Sequence, residues 1–250
     1  MDIKESYDIT GDVRRHFWEI ARLDFIRKSI SRTVSAPRTV LDIGCGDCFV
    51  LKSLAESFPE TGFSGIDSAL TEEMIKTLTA CPDFPENIVL DRELNLSRTK
   101  KADLLLLLDV LEHIKDEKSF LLNLHQLLHQ NSRIIITVPA YQSLFTDHDR
   151  YLKHYRRYNR KELQHLLEIA GFKVLHSGYI FCSLLPFRLL QKLSGIKSAG
   201  KDSLRAGNRF INAVAGRILK IDAGISFWLS CRKIYIPGLS CFAVTELSKK

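Results

Sequence analysis

The sequence predicts an α/β fold, a mostly parallel sheet of seven strands with helices on its faces, and three observations carry that reading. Stretches with strand character alternate with stretches of helical periodicity through the first half of the chain. The run DLLLLLDV, Asp103 to Val110, is apolar without alternation, as expected of a parallel strand buried on both faces. In VLDIGCGDCFVLKSLA, Val40 to Ala55, a strand runs into a glycine loop and then into a helix.

Taken in order, the chain begins with a helix whose apolar positions Val13, Phe17, Ile20, Leu23, Ile26 and Ile30 recur at three or four, and Pro37 marks a break after it. TVLDI is the first strand, followed by a helix from about Phe49 to Phe58 and the strand FSGID. A helix near Thr71 to Leu78 and the short strand NIVLD complete a βαβαβ alternation. DLLLLLDV takes the centre of the sheet. Asp116 then caps a helix presenting Phe120, Leu121, Leu124, Leu127 and Leu128, Asn131 sits past its end, and RIIITV is the next strand.

From Pro139 to Tyr158 the pattern lapses into a segment rich in Tyr, His, Asp and Arg, long enough to read as a functional loop. In NRKELQHLLEIAG, Asn159 and Glu162 have capping-box spacing, Leu163, Leu166, Leu167 and Ala170 line one face, and Gly171 ends the helix. FKVLHSG and SCFAVTEL are the last two strands. The domain reading is an N-terminal helix at 1–35, a core at 36–180, a basic amphipathic helical insertion at 181–236 and a final strand at 237–250 that completes the core sheet.

A chain of 250 residues suits one α/β domain with an elaboration, and 45% hydrophobic with 26% charged residues excludes disorder. The first residues carry acids and no apolar core flanked by small residues, so no secretory signal is expected. No apolar run reaches the roughly 18 residues of a spanning helix. The expected setting is cytoplasmic, with peripheral attachment to the inner face of a membrane as the alternative. Cys45 and Cys48 form C-x-x-C, but no second pair or spaced His pair completes a zinc site, so they read as small residues packing a tight loop. The dispersed cysteines fit a reducing compartment.

The net charge of +7 is concentrated between Ser183 and Tyr235, where ten basic residues from Arg188 to Lys233 face only Asp202 and Asp222. Within it, Leu204, Ile211, Val214, Ile218, Ile221 and Ile225 form a helical stripe. Such a stripe packs on its own domain or on a second subunit; the sharper reading is a basic amphipathic helix on an anionic membrane or over a lipid-like substrate.

The glycine loop places backbone N–H groups and a helix N-terminus above a ligand. G-x-G-x-x-G would indicate a dinucleotide, but its third position is Phe49. D-x-G-x-G-x-G suits a ligand with a cationic amino acid end; Asp42, Gly44 and Gly46 match it and Cys48 replaces its last glycine. Asp67 closes the second strand, where a carboxylate binds ribose hydroxyls, and Asp91 closes the third, where one can accept from an adenine amino group. Adenosine plus an amino acid describes S-adenosylmethionine (SAM).

VLDIGCGDC, GID and DLLLLLDVLEHIKD resemble, in order and spacing, the three cofactor segments of class I, Rossmann-like SAM-dependent methyltransferases. The resemblance implies that Asp42, Gly44 and Gly46 surround the methionine end, Asp67 holds the ribose, Asp91 the adenine, and Asp109 begins the loop beneath the cofactor. Cys48 and Ala102 depart from the family pattern. HFWEIAR, DHDRYLKHYRRYNRKEL and IPGLSCFAVTEL further resemble a bacterial subgroup with an HWWF-type first helix and an H-x-R-R-Y segment. The fold this implies is a Rossmann-like sheet of seven strands, the last antiparallel.

Methyl transfer from a sulfonium needs alignment more than strong acid or metal, so no metal ligand is assigned. If the acceptor is a hydroxyl, His148 or His154 is the candidate base. Tyr141, Arg156, Arg157 and Tyr158 are candidate substrate-binding residues, the two Arg for an anionic part of the acceptor; alternatively they belong to a solvated loop whose Arg pair with Asp147 and Asp149. Glu112 and His113 start the segment near the donor methyl, with His113 orienting a loop or taking a proton. His16, Trp18 and Arg22 either fold over the cofactor or pack as an aromatic with a snorkelling Arg. The expected acceptor is a small molecule or a lipid- or glycan-linked, amphiphilic one, its identity open, and the oligomeric state stays open as well. Nucleic acid is not expected, because VLEH follows Asp109 where an N-P-P-[YF]-type segment would stand. The competing readings are a non-catalytic adenosine-binding or membrane-associated partner protein and an NAD-dependent oxidoreductase.

Overall fold

The structure is a computed structural model that describes residues 16–34, 36–96, 99–193 and 209–248, with the side chains of 193 and 209–212 left aside. Val13 and Leu204 therefore lie outside the described residues, as does the side chain of Ile211. The elements are α1 (Phe17–Thr33), β1 (Thr39–Ile43), α2 (Phe49–Ser57), β2 (Gly62–Ile66), α3 (Glu72–Thr79), β3 (Ile88–Asp91) and β4 (Ala102–Leu108). They continue with α4 (Glu117–Asn123), β5 (Leu128–Pro139), α5 (Asp147–Tyr151), α6 (Arg160–Ile169), β6 (Phe172–Ile180), α7 (Leu185–Leu193), α8 (Arg209–Ser230) and β7 (Ser240–Leu247).

The seven strands form one sheet in the order β3-β2-β1-β4-β5-β7-β6. β1 to β5 pair in parallel, and β7 runs antiparallel between β5 and β6. The order reverses between β1 and β4, and such a switch opens a crevice at the carboxyl ends of the strands. The five leucines of β4 are all buried because they alternate between two cores. Leu104, Leu106 and Leu108 pack with α1, α2 and α8, while Leu105 and Leu107 pack with α4 and α6.

Caps act where the sequence places them. Asp116 Oδ1 accepts from Ser119 N–H at 3.0 Å, and Asn159 and Glu162 exchange hydrogen bonds at 2.9 and 3.0 Å. Gly171 follows α6 at φ +82°. The helix after Asp116 is shorter than its leucines suggest: it tightens at Leu124–Leu127, and β5 begins at Leu128 with Asn131 inside the strand. Leu128 pairs with Ala102 before a register shift, so sheet pairing overrides helix propensity there.

Among the described residues, nothing of the domain covers the part of the stripe that α8 carries. Val214, Ile218, Ile221 and Ile225 face outward with 39–63% of their surface exposed. The inward face is Ala215, Leu219, Ala223 and Phe227, with Phe227 edge-on to Phe25 and stacked on Phe242. Small residues there allow close approach to α1, which a reading weighted towards branched aliphatics overlooks. No helix among the described residues is long and apolar enough to cross a membrane.

Candidate functional site

The loop after β1 is built by backbone conformations that suit glycine. Gly44 stands at φ +79°, and a Cβ there would lie 2.6 Å from Val110 Cγ2. The N–H groups of Gly44 and Cys45 donate to the Ile66 carbonyl at 2.7 and 3.3 Å, tying the loop to the end of β2. Gly46, at φ +57°, donates its N–H to Asp67 Oδ2 at 2.9 Å, and Ala69 N–H donates to Asp67 Oδ1 at 2.9 Å. Cys48 caps α2 at φ +64° and is fully buried. The cysteine thus keeps the left-handed backbone a third glycine would adopt, at a conformational cost of about 1–2 kcal/mol, while its thiol fills the core.

Beneath the loop is a cavity lined by Trp18, Arg22, Asp42, Gly44, Asp47 and Phe49, among others. Asp42 is 1% exposed and its Oδ1 has no hydrogen-bond partner. Burial, with the Asp67 charge adding a smaller push, raises its carboxyl from the usual range to about 7. A carboxylate withdrawn from water, uncompensated and bordering a cavity fits the cationic amine of an amino acid. The residues present therefore fit the SAM site that the family resemblance implies. Asp91 ends β3 next to Asp67; its carbonyl accepts from Asp67 N–H at 3.1 Å, and its Oδ1 accepts from the N–H groups of Arg92 and Glu93 at 2.7 and 3.2 Å.

Asp109 follows β4 at φ +57°. Its Oδ2 is paired with the Arg22 guanidinium, and Thr137 Oγ1 donates to its Oδ1 at 3.0 Å. Burial pushes this carboxyl up, but the Arg22 charge and the Thr137 hydrogen bond hold it below the usual range. Arg22 also lies 4.8 Å from the Trp18 ring centroid, so α1 closes over the crevice through these two side chains.

One turn further, Glu112 is fully buried with neither carboxylate oxygen partnered. Burial first, and then the Asp109 charge, push its carboxyl well above the ordinary range. The rings of His113 and His154 meet edge to face at 4.5 Å. A carboxylate oxygen of Glu112 and a ring nitrogen of each histidine all lie within 4.8 Å of one another. His154 Nδ1 is 3.0 Å from Asp149 Oδ1. Asp149, 1% exposed, also accepts from Arg157 Nε and Nη2 at 2.8 and 3.0 Å and from Thr146 N–H at 2.8 Å. Burial opposes ionisation of Asp149, yet the His154 and Arg157 hydrogen bonds hold its carboxyl far below the usual range.

The structure separates the other candidates. His148 is exposed on α5. Arg157 is engaged by Asp149, and Arg156 pairs with Glu117 and donates to the Lys115 carbonyl at 2.9 Å, so both guanidinium groups already serve carboxylates of the chain. Tyr158 is buried and its hydroxyl donates to the Leu111 carbonyl at 3.2 Å. Tyr141, at φ +60°, stacks on Tyr179 at 5.3 Å; burial and that neighbour push its hydroxyl up. The role of Asp149 had no local signature in the sequence, since its partners are His154 and Arg157 across a loop whose shape no periodicity encodes.

Fold and crevice define a Rossmann-like domain with a cavity under the glycine loop at the carboxyl edge of its sheet. A family model described as a methyltransferase domain matches residues 17–177, and the chain belongs to that family. No curated protein matches its sequence. Among solved structures it resembles the plantazolicin methyltransferase BpumL in complex with a monoazolic desmethylPZN analog and SAH, with 16% identity, a TM-score of 0.56, and 93% of this chain and 85% of that one covered. The plantazolicin methyltransferase BamL, in complex with a triazolic desmethylPZN analog and SAH, is 20% identical at a TM-score of 0.55, covering 98% and 89%. The [4+2]-cyclase SpnF is 15% identical at a TM-score of 0.58, covering 96% and 86%. At these identities the likeness is one of fold, and the cyclase among them shows that this fold hosts other chemistry.

Proposed function

We propose that the protein is a SAM-dependent methyltransferase acting on a hydroxyl of a small or lipid-linked acceptor. The observation that carries this reading is Asp42, a buried carboxylate with an unpartnered oxygen in the cavity under the glycine loop. When bound, SAM supplies an electrophilic methyl carbon on a sulfonium. Asp42 and the loop at Gly44 and Gly46 hold the amino acid end, Asp67 the ribose and Asp91 the adenine amino group. Asp109, fixed by Arg22 and Thr137, forms the floor beneath the cofactor. The acceptor hydroxyl loses its proton at the group formed by Glu112, His113 and His154, where Asp149 fixes the His154 ring. Arg157 is a positioning residue that acts through Asp149.

Calorimetric titration with SAM and S-adenosylhomocysteine, with NAD as control, tests the reading. Micromolar binding of the first two, lost in Asp67→Ala, is expected; binding of NAD alone, or of none by folded protein, would refute it.

The setting of the acceptor is read from α8. Its exposed face carries Val214, Ile218, Ile221, Ile225 and Trp228, with Arg217 also exposed, Arg232 exposed in the turn just past its end, and no exposed acid on that helix among the residues with described side chains. Apolar groups flanked by cations suit an anionic membrane surface, from which an amphiphilic acceptor would be drawn.

A further inference from the structure

We propose that Glu112, His113 and His154 form a binding site for one divalent transition-metal ion at the carboxyl edge of the sheet.

The first argument is geometric. One oxygen and two imidazole nitrogens converge from two separate segments, the turn after β4 and the loop after α5, to within 4.8 Å of one another. Ligands about 2.1 Å from a common ion stand roughly 3–3.5 Å apart, so the three groups need to close by no more than about 1.3–1.8 Å.

The second is electrostatic. A buried carboxylate with no donor on either oxygen is an expensive group to leave unsatisfied, and native structures satisfy such groups or reserve them for something that does. The neighbouring Asp109 is not in this condition, being committed to Arg22 and Thr137. Arg22 is thus ion-paired to one carboxylate and acts on the other, three residues on, only through space, leaving both of its oxygens without a donor.

The third is orientation. Asp149 binds His154 at Nδ1, which leaves Nε2 for a ligand. Asp149 is itself fixed by two Arg157 hydrogen bonds and by Thr146. A carboxylate behind an imidazole is the outer-shell arrangement that fixes the ring of a metal-bound histidine and raises its basicity.

Two imidazoles with one carboxylate favour manganese, iron, cobalt or zinc over calcium or magnesium, and three protein ligands leave coordination positions open. What the ion does there rests on the proposed methyl transfer: with the ion bound, both imidazoles are ligands and take no proton themselves, and the ion instead lowers the pKa of the acceptor hydroxyl held there, whose proton passes to solvent.

The test uses the full chain stripped of metal with a chelator and titrated with Co²⁺, read by visible absorbance and by calorimetry. One equivalent per chain is expected, weakened at least tenfold by His113→Ala and by His154→Ala, and about tenfold by Asp149→Asn. His165→Ala, a surface histidine on α6, should leave it unchanged. Affinity for S-adenosylhomocysteine serves as the fold control, and His154→Gln keeps most of the volume if the alanine variant does not fold. No saturable Co²⁺ binding, or binding unaltered by both histidine variants, would overturn the site. Loss of S-adenosylhomocysteine binding with Co²⁺ binding intact would instead sink the methyltransferase reading and leave the metal site standing.

Discussion

Asp42→Asn separates what this residue does for the fold from what it does for the ligand. In the folded protein the carboxyl titrates near 7 instead of 3.8 because it is buried without adequate partners. At 1.36 kcal/mol per pKa unit, that displacement corresponds to roughly 4 kcal/mol of destabilisation once the group is ionised. The folded pKa lies above the unfolded one, so the loss is absent below about pH 4, grows as pH rises through 7, and is complete above it. Asparagine removes the charge but leaves a buried amide costing about 1–3 kcal/mol. The variant should therefore be more stable than the wild type at pH 8 by about 1–3 kcal/mol, and no more stable at pH 4, in paired urea denaturations. Binding of S-adenosylhomocysteine should weaken about 10–100-fold, the worth of a charge-assisted hydrogen bond. Wild-type affinity should itself fall as pH drops below 7 and level off at a loss of about the same size, since the ammonium needs the ionised carboxylate. A stability difference independent of pH, or a variant less stable at pH 8, would refute the picture of Asp42 as an uncompensated charge held for a cation.

Gly44→Ala forces a Cβ to within 2.6 Å of Val110 Cγ2 at φ +79° and should cost about 2–4 kcal/mol in chemical denaturation; adding Val110→Ala should recover the steric part and leave the backbone part. Cys48→Gly relieves the left-handed strain at φ +64° but gives up a buried thiol, so its stability should stay within about 1 kcal/mol of wild type with ligand affinity retained. On α8, the double variant Ile218→Glu with Ile225→Glu should lose co-sedimentation with anionic vesicles while binding S-adenosylhomocysteine normally; unchanged sedimentation would remove α8 from membrane contact.

Periodic and punctuated features of the fold were legible in the sequence. The unbroken apolar run of β4, the glycine loop before α2 and the Asn159–Glu162 cap all announce themselves locally, because each is a solution to a local problem of burial, conformation or unsatisfied N–H groups. What escaped was set by tertiary competition. Leu128 could extend a helix or start a strand, and pairing with Ala102 decided it. The α8 helix has apolar residues on two faces, and the smaller face won because α1 packs close. In the site, the acidic residues at strand ends were readable from their spacing with the glycines. Arg157 read as an anion binder because charge is visible in a sequence, whereas its bidentate hold on Asp149 depends on a loop fold that is not.

The pattern of charge compensation at the sheet edge is the strongest argument that the crevice is built for external cations. Four carboxylates stand on neighbouring segments there. Asp67 is met by backbone N–H groups of Gly46 and Ala69, and Asp109 by Arg22 and Thr137. Asp42 has an oxygen, and Glu112 both oxygens, buried without a donor. A chain with 36 Lys and Arg residues is not short of cations, and it brings Arg22 across from α1 to the very next carboxylate. Leaving two buried acids uncompensated lowers stability, and such losses persist where function depends on them. An ammonium group at Asp42 and a metal ion at Glu112 would each neutralise one, which makes the two deficits separable: a ligand that satisfies the first should leave the pH dependence of metal binding at the second unchanged.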